Sequence, residues 1–192
     1  RGLGDVYKRQ AYGPSWANVS NTPFREYKHY VHEGGIASPL VVHWPNNILA
    51  SGDLREQPSH LIDIMATCIE VSGSKYPSEY NGNVITPIEG LSLVPAFKNE
   101  NLNREALYWE HEGNRAVRMG KWKLVSKASI NNPQRWDKIE NLDQNQWELF
   151  DMELDRTELN DLSQKYPDKV SAMSLMWTNW AKKTGAIPRP NK

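Results

Sequence analysis

Apolar positions divide the chain into two regions of different rhythm. Residues 39–44, PLVVHW, form a continuous apolar run closed by Pro45, the pattern of a strand buried on both faces. A polar stretch, 46–58, follows. The run IMATCIEVS then places apolar residues at helical spacing and predicts a helix over about Asp63–Ser72, capped by Asp63 or Ser59 and stopped by Gly73. A strand, a loop and a helix in that order is α/β grammar. Residues 74–90 read as a loop carrying Pro77, Gly82, Pro87 and Gly90, and LSLVPAF as a short helical or turn segment. Upstream, residues 11–35 are rich in Gly, Pro, Ser and Asn. There TPFREYKHYVHEGG predicts a helical turn from near Thr22, with Pro23 in its first position, ending where Gly34 and Gly35 let the chain turn sharply.

After Asn101 the period changes to two. ALYWEH reads as a strand. Asn114–Met119 and Lys121–Ser126 read as a hairpin pivoting near Gly120, with alternation at Ala116, Arg118, Trp122 and Leu124. Residues 127–146 form a polar insertion expected on the surface, and WELFDM is a further strand. Strands this close in sequence predict an antiparallel sheet. The last element is a helix over about Pro167–Lys183, with Val170, Met173, Trp177 and Trp180 on one stripe, stopped by Gly185 and followed by the tail IPRPNK. That stripe predicts packing against the sheet. The boundaries that follow are 11–100 for the end of an α/β domain and 101–192 for a small antiparallel sheet with a carboxy-terminal helix.

Composition narrows the classes. The 192 residues are 39% hydrophobic and 24% charged, with 23 basic and 23 acidic side chains and a formal net charge of zero. That balance argues against a nucleic-acid binder, which normally carries a basic excess. No apolar run approaches the roughly 18 residues a membrane helix requires, so no membrane partner is expected. The single cysteine, Cys68, forms no internal disulfide, and its apolar surroundings predict a small buried hydrophobe. Eight tryptophans and eight tyrosines are enough to build a core and also to line a site for sugars or aryl groups.

Four blocks, in order, resemble the sulfatase family: YKHYVHEGGIASPLVVHWP, HLIDIMATCIEVSG, PIEGLSLVPAF and ELFDMELDRTELNDLSQKYPDKV. AYGPSWANVSNTPFR and LYWEHEGNRAVRMGKWKLV resemble arylsulfatases more narrowly. The resemblance runs over about residues 11 to 187. It implies a fold like that of alkaline phosphatase, with a large α/β domain and a smaller carboxy-terminal domain of antiparallel strands and a long helix. The implied activity is hydrolysis of sulfate esters, aryl or carbohydrate, by a periplasmic or secreted parent enzyme. A formylglycine, made within a Cys-or-Ser-x-Pro-or-Ala-x-Arg motif, attacks sulfur, and calcium held by aspartates and an asparagine polarises the ester. Here Cys68 is followed by Ile69, Glu70, Val71 and Ser72, which does not fit that motif, and no other stretch fits it. The Asp-Asn-Gly metal segment expected just before AYGPSW is also absent. Residues 1–10, RGLGDVYKRQ, match nothing expected there and read as a non-native junction, so Asp5 is not taken as a calcium ligand. The chain reads as the carboxy-terminal part of an arylsulfatase, inactive by itself, with the nucleophile and the metal ligands outside it.

Lys28 stands five residues before Glu33, the spacing at which the family carries its sulfate-binding lysine. An ammonium donates several hydrogen bonds to sulfate oxygens and offsets their charge. By the same resemblance, Glu33 anchors the turn, and His111 or Asn114 touches the leaving group. A strand-end histidine bonded to a neighbour is the other reading of His111. His29 and His32 either line the pocket mouth or are half-buried structural residues. Trp109 and Trp136 offer a ring platform or plain packing, and His43 and His60 read as structural. Two alternatives remain at this stage: a non-catalytic module binding sulfated glycans, and a related hydrolase of phosphonate or phosphate esters.

Overall fold

The computed structural model describes residues 13–127 and 147–187. The residues 1–10, most of the 127–146 insertion with Trp136, and the tail beyond Ile187 lie outside them. The described residues fall into two compact units. One joins those up to Pro39 to those from Ala106 onward, and the other is Leu40–Glu105.

The first unit is built on a four-stranded antiparallel sheet, β1 Leu107–His111, β2 Asn114–Met119, β3 Trp122–Ser126 and β4 Trp147–Asp151, in simple meander order. The hairpin turns where expected, and Gly120 takes the left-handed φ of 56° that its tight turn requires. Register decides the two faces. Val117 pairs with Leu124 and Leu124 with Leu149, and these three meet Met173, Trp177 and Ala181 of a helix, α1, spanning Pro167–Lys183. Val170 and Trp180 complete the predicted stripe against this core, and Gly185 at φ 74° follows its end. Ala116 and Val125 turn to the opposite face with Phe150 and Met152, where Val31 and Ile36 cover them. The alternation within each strand is as expected. The cross-strand register sends Ala116 and Leu124 to different faces.

Because both faces are covered, a charged side chain in the sheet is forced to find a partner. Lys123 is fully buried and lies 2.8 Å from both Glu33 and Glu158. Glu158 also accepts the Glu33 backbone N–H at 2.8 Å. Two departures from the sequence reading lie upstream. A helix, α2, covers Gly13–Ser20, and no helix begins at Thr22, where the Thr22–Pro23 bond is cis. The short helix α3, Glu33–Ile36, contains the two glycines. Neither has a positive φ. They are needed because a Cβ on Gly34 would stand 2.2 Å from the Glu26 carbonyl, and one on Gly35 2.0 Å from that of Tyr30.

The second unit contains α4, Ile62–Ser72, ended by Gly73 at φ 65°, a two-residue hairpin of Glu79–Tyr80 with Asn83–Val84, and the turn α5, Val94–Phe97. Leu61, not Asp63 or Ser59, is the N-cap residue. Asp63 is instead the buried hub of the unit. It accepts hydrogen bonds from the His60 and Leu91 N–H groups at 2.7 and 2.9 Å and from Arg104 at 2.5 Å. Gly90 approaches so closely that a Cβ would meet the Ile62 carbonyl at 2.1 Å.

Two expectations fail here. Residues 39–44 form no strand, and Val41 is 90% exposed. A strand needs a neighbour to satisfy its backbone, and among the described residues of this unit the two short strands pair only with each other. Cys68 is exposed, not buried. The same holds for Ile62, Ile64, Met65 and Val71 of the helix that carries it, because nothing in the unit covers that face.

Candidate functional site

The segment Arg25–Ile36 lies on the sheet face opposite α1, and it is held there at several points. Val31 enters the apolar layer over Ala116 and Val125. His32, fully buried, bonds through Nε2 to Glu148 at 2.9 Å. Arg25 donates to the Glu158 carbonyl at 2.5 Å. Glu33 faces Lys123, with Arg156 at 3.4 Å. Burial pushes the Glu33 pKa upward, but the charge and hydrogen bond of Lys123, with Arg118 and Arg156 nearby, outweigh it and leave the net value lowered. The Glu148 carboxyl is also held low, first by the His32 hydrogen bond.

Anchored in this way, the segment brings Lys28 to a cleft of about 280 Å³ that Trp109 and His111 of β1 also line, with His29, Tyr30 and Ile36 around them. Lys28 is exposed, so its ammonium is accessible to a ligand in water. Two of the three site residues read from the sequence, Lys28 and His111, thus share one cleft. The third, Asn114, is buried beneath it. Its Nδ2 donates to the backbone carbonyls of His29 at 2.9 Å and His111 at 3.0 Å. Asn114 therefore ties the Lys28 segment to the end of β1.

Glu112 is a further residue of the site, outside the sequence-derived set of Lys28, His111 and Asn114. It occupies the first position of the two-residue turn Glu112-Gly113 between β1 and β2, with φ 53° and 83° in the pattern of a type I′ hairpin. Its Oε2 lies 2.7 Å from His29 Nδ1. The sequence signal for this turn is the glycine at its second position between two strands, weaker than the usual Asn-Gly or Asp-Gly pair. Of the other histidines, His32 is structural, and His60 sits beside Asp63, its pKa lowered by burial against the raising effect of Asp63. His43 is exposed. The Trp109 carbonyl accepts the Trp177 indole N–H at 2.9 Å, linking the cleft wall to α1.

The donor chemistry around the cleft does not suit calcium, which takes six to eight oxygen ligands. Among the described residues, the group of three metal-capable side chains is His29, His111 and Glu112, two nitrogens and one carboxylate.

Comparison with known proteins agrees with the fold. The family profile described as N-sulphoglucosamine sulphohydrolase, C-terminal, matches residues 25–179. The chain belongs to this sulfatase family. It is 27% identical over 193 residues to an uncharacterized sulfatase of Schizosaccharomyces pombe, covering 98% of this chain and 33% of that protein. It is 31% identical over 105 residues to the N-acetylgalactosamine-6-sulfatase of Mus musculus, covering 54% of this chain and 19% of that protein. The crystal structure of Ps i-CgsB superimposes with a TM-score of 0.63 at 25% identity, over 88% of this chain and 38% of that one. The chain thus spans between 19% and 38% of the length of these relatives. The small antiparallel sheet with its carboxy-terminal helix is the architecture expected of the family. No helix among the described residues is long and apolar enough to cross a membrane.

Proposed function

We propose that this chain is the carboxy-terminal part of a sulfuric ester hydrolase of arylsulfatase type, and that Lys28 grips the sulfate group of its substrate. The observation that carries the reading is the shared cleft. Lys28, which is exposed, and His111, far apart in sequence, line one cleft together with Trp109. The ammonium donates to sulfate oxygens and offsets the charge that builds on them as the ester bond breaks. His111 meets the leaving group, and Trp109 gives it an apolar wall. Asn114 acts from below, by holding the two backbone segments in register. The formylglycine nucleophile and the calcium would be supplied by residues of the parent enzyme outside this chain.

The exposed apolar residues of the second unit support this reading. Leu40, Val41, Ile64 and Met65 are the kind of surface that a larger α/β domain covers. A sulfated carbohydrate is the favoured substrate class. Ps i-CgsB has been crystallised with k-i-k-neocarrahexaose, and the mouse relative is by name a sulfatase of N-acetylgalactosamine. A module that binds such glycans without catalysis is the second reading, supported by the same cleft.

The test is to express the complete reading frame and the 192-residue chain side by side with an aryl sulfate substrate. The complete enzyme should turn over and the chain alone should not. In the complete enzyme Lys28→Ala should lower kcat/KM by about a hundredfold, the usual scale for losing one donor to a developing oxyanion. Turnover by the chain alone, or an unimpaired Lys28→Ala enzyme, would refute the proposal. Inactivity of the complete protein together with tight glycan binding would select the second reading.

A further inference from the structure

His29 and Glu112 carry chemistry that the sulfate-gripping role of Lys28 does not use, and His111, which faces the leaving group in that role, lies beside them. Each offers a ligand atom, and those atoms all lie within 4.8 Å of one another. His29 Nδ1 and Glu112 Oε2 are already 2.7 Å apart. The rings of His29 and His111 stack with centroids 5.8 Å apart and planes inclined by 24°.

The backbone builds this cluster. The type I′ turn swings Glu112 back towards the Lys28 segment. His29 is held at φ 89°, a conformation that side chains other than glycine rarely adopt and that surrounding contacts must enforce. Asn114 supplies that enforcement by donating to the carbonyls of both histidines. Below them, Gly113 N–H donates to Glu110 Oε1 at 2.9 Å and closes the turn.

Two imidazoles and one carboxylate are the donor set of zinc-class sites that keep a fourth position open. Ligand atoms around a tetrahedral zinc stand about 3.3–3.5 Å apart, from metal–ligand bonds near 2.0–2.1 Å. The His29–Glu112 pair is slightly tighter than that. His111, the exposed member of the three, offers its ligand atom within 4.8 Å of both others.

We propose that His29, His111 and Glu112 bind a divalent transition ion of the zinc class at the rim of the Lys28 cleft. On binding, the proton between His29 Nδ1 and Glu112 Oε2 leaves that position, to Nε2 of the same ring when the imidazole is neutral or to solvent when it is an imidazolium, and the ion takes its place. One carboxylate leaves the ion with net positive charge, so its open position takes water or an anionic oxygen. Asn114 is the positioning residue that preserves the spacing.

The assay is calorimetric titration of Zn²⁺ into the 192-residue chain in a Cys68→Ser background, which removes the exposed thiol. One equivalent should bind with micromolar affinity or better. His29→Ala, His111→Ala and Glu112→Gln should each weaken binding at least tenfold, whereas His43→Ala at an exposed histidine should not. Lys28→Ala should leave zinc binding intact, which separates this proposal from the sulfate-gripping role. Co²⁺ added to the chain with its histidines unsubstituted should give visible d–d absorption of a low-coordinate site, a readout that does not depend on any variant folding. Absence of saturable zinc binding, absence of the cobalt bands, or an affinity in the three ligand variants equal to that of the parent overturns the proposal.

Discussion

Lys123 Nζ lies 2.8 Å from Glu33 Oε1, and the two side chains are 0% and 5% exposed, so a buried ion pair joins the middle of the sheet to the turn that carries Lys28. Lys123→Met leaves Glu33 and Glu158 facing each other without their shared cation. Breaking a buried pair from one side costs about 3–5 kcal/mol, and urea unfolding of the chain should show a loss of that order. Glu33→Gln should cost less, because Lys123 keeps Glu158.

The same carboxylates set a pH dependence. The folded pKa of Glu33 lies below its ordinary value of 4.5, as does that of Glu148. A lowered folded pKa stabilises the fold above the unfolded value, and that contribution disappears as pH falls through the folded pKa. The share of the thermal midpoint that these carboxylates supply should therefore be level near neutrality and begin to fall below about pH 5, beneath the earlier loss that the lowered pKa of His60 gives below about pH 6.5. Glu33→Gln should flatten part of that fall. An acid limb identical in the variant and the parent would exclude Glu33 as a contributor.

Gly35 tests the close approach beneath the cleft. A Cβ there meets the Tyr30 carbonyl at 2.0 Å and that of Tyr27 at 2.9 Å, and both are backbone atoms that cannot swing aside. Gly35→Ala should destabilise the chain by at least the roughly 1–3 kcal/mol typical of overpacking. Gly52→Ala, with open space around it but a φ of +74°, shows the cost of backbone strain without a clash, whereas Gly35→Ala shows a clash without a positive φ.

Trp177 joins the helix to the cleft wall. It is fully buried, packs edge-on to Trp147, and donates to the Trp109 carbonyl. Trp177→Phe should cost about 1–3 kcal/mol for the lost ring area and hydrogen bond. Trp177→Ala should cost about 3–5 kcal/mol. Hydrogen exchange at β1 should accelerate in both variants, since the anchored carbonyl lies in that strand.

The amphipathic elements were legible in the sequence because each carries its periodicity within a single segment. The period of three and four in Val170, Met173, Trp177 and Trp180 marked a helical face, and alternation across Gly120 marked a hairpin. Both signals are local, and both helix and hairpin formed as read. Residues 39–44 show the limit of such reading. Their composition suits a buried strand, but burial is conferred by neighbouring strands, and without them Val41 stands in water. Cys68 shares that fate.

By itself, then, the sequence determined the rhythm of the sheet and the terminal helix, and it singled out Lys28 and His111 through their motifs. Only the tertiary structure decided what those residues are next to. Glu112 became a partner of His29 because a two-residue turn reversed the chain, and Asn114 became a brace because its amide faces two carbonyls at once. Lys123 was an ordinary strand lysine until both faces of the sheet were covered. Contacts between residues distant in sequence depend on register and close approach, which no local pattern of polar and apolar positions encodes.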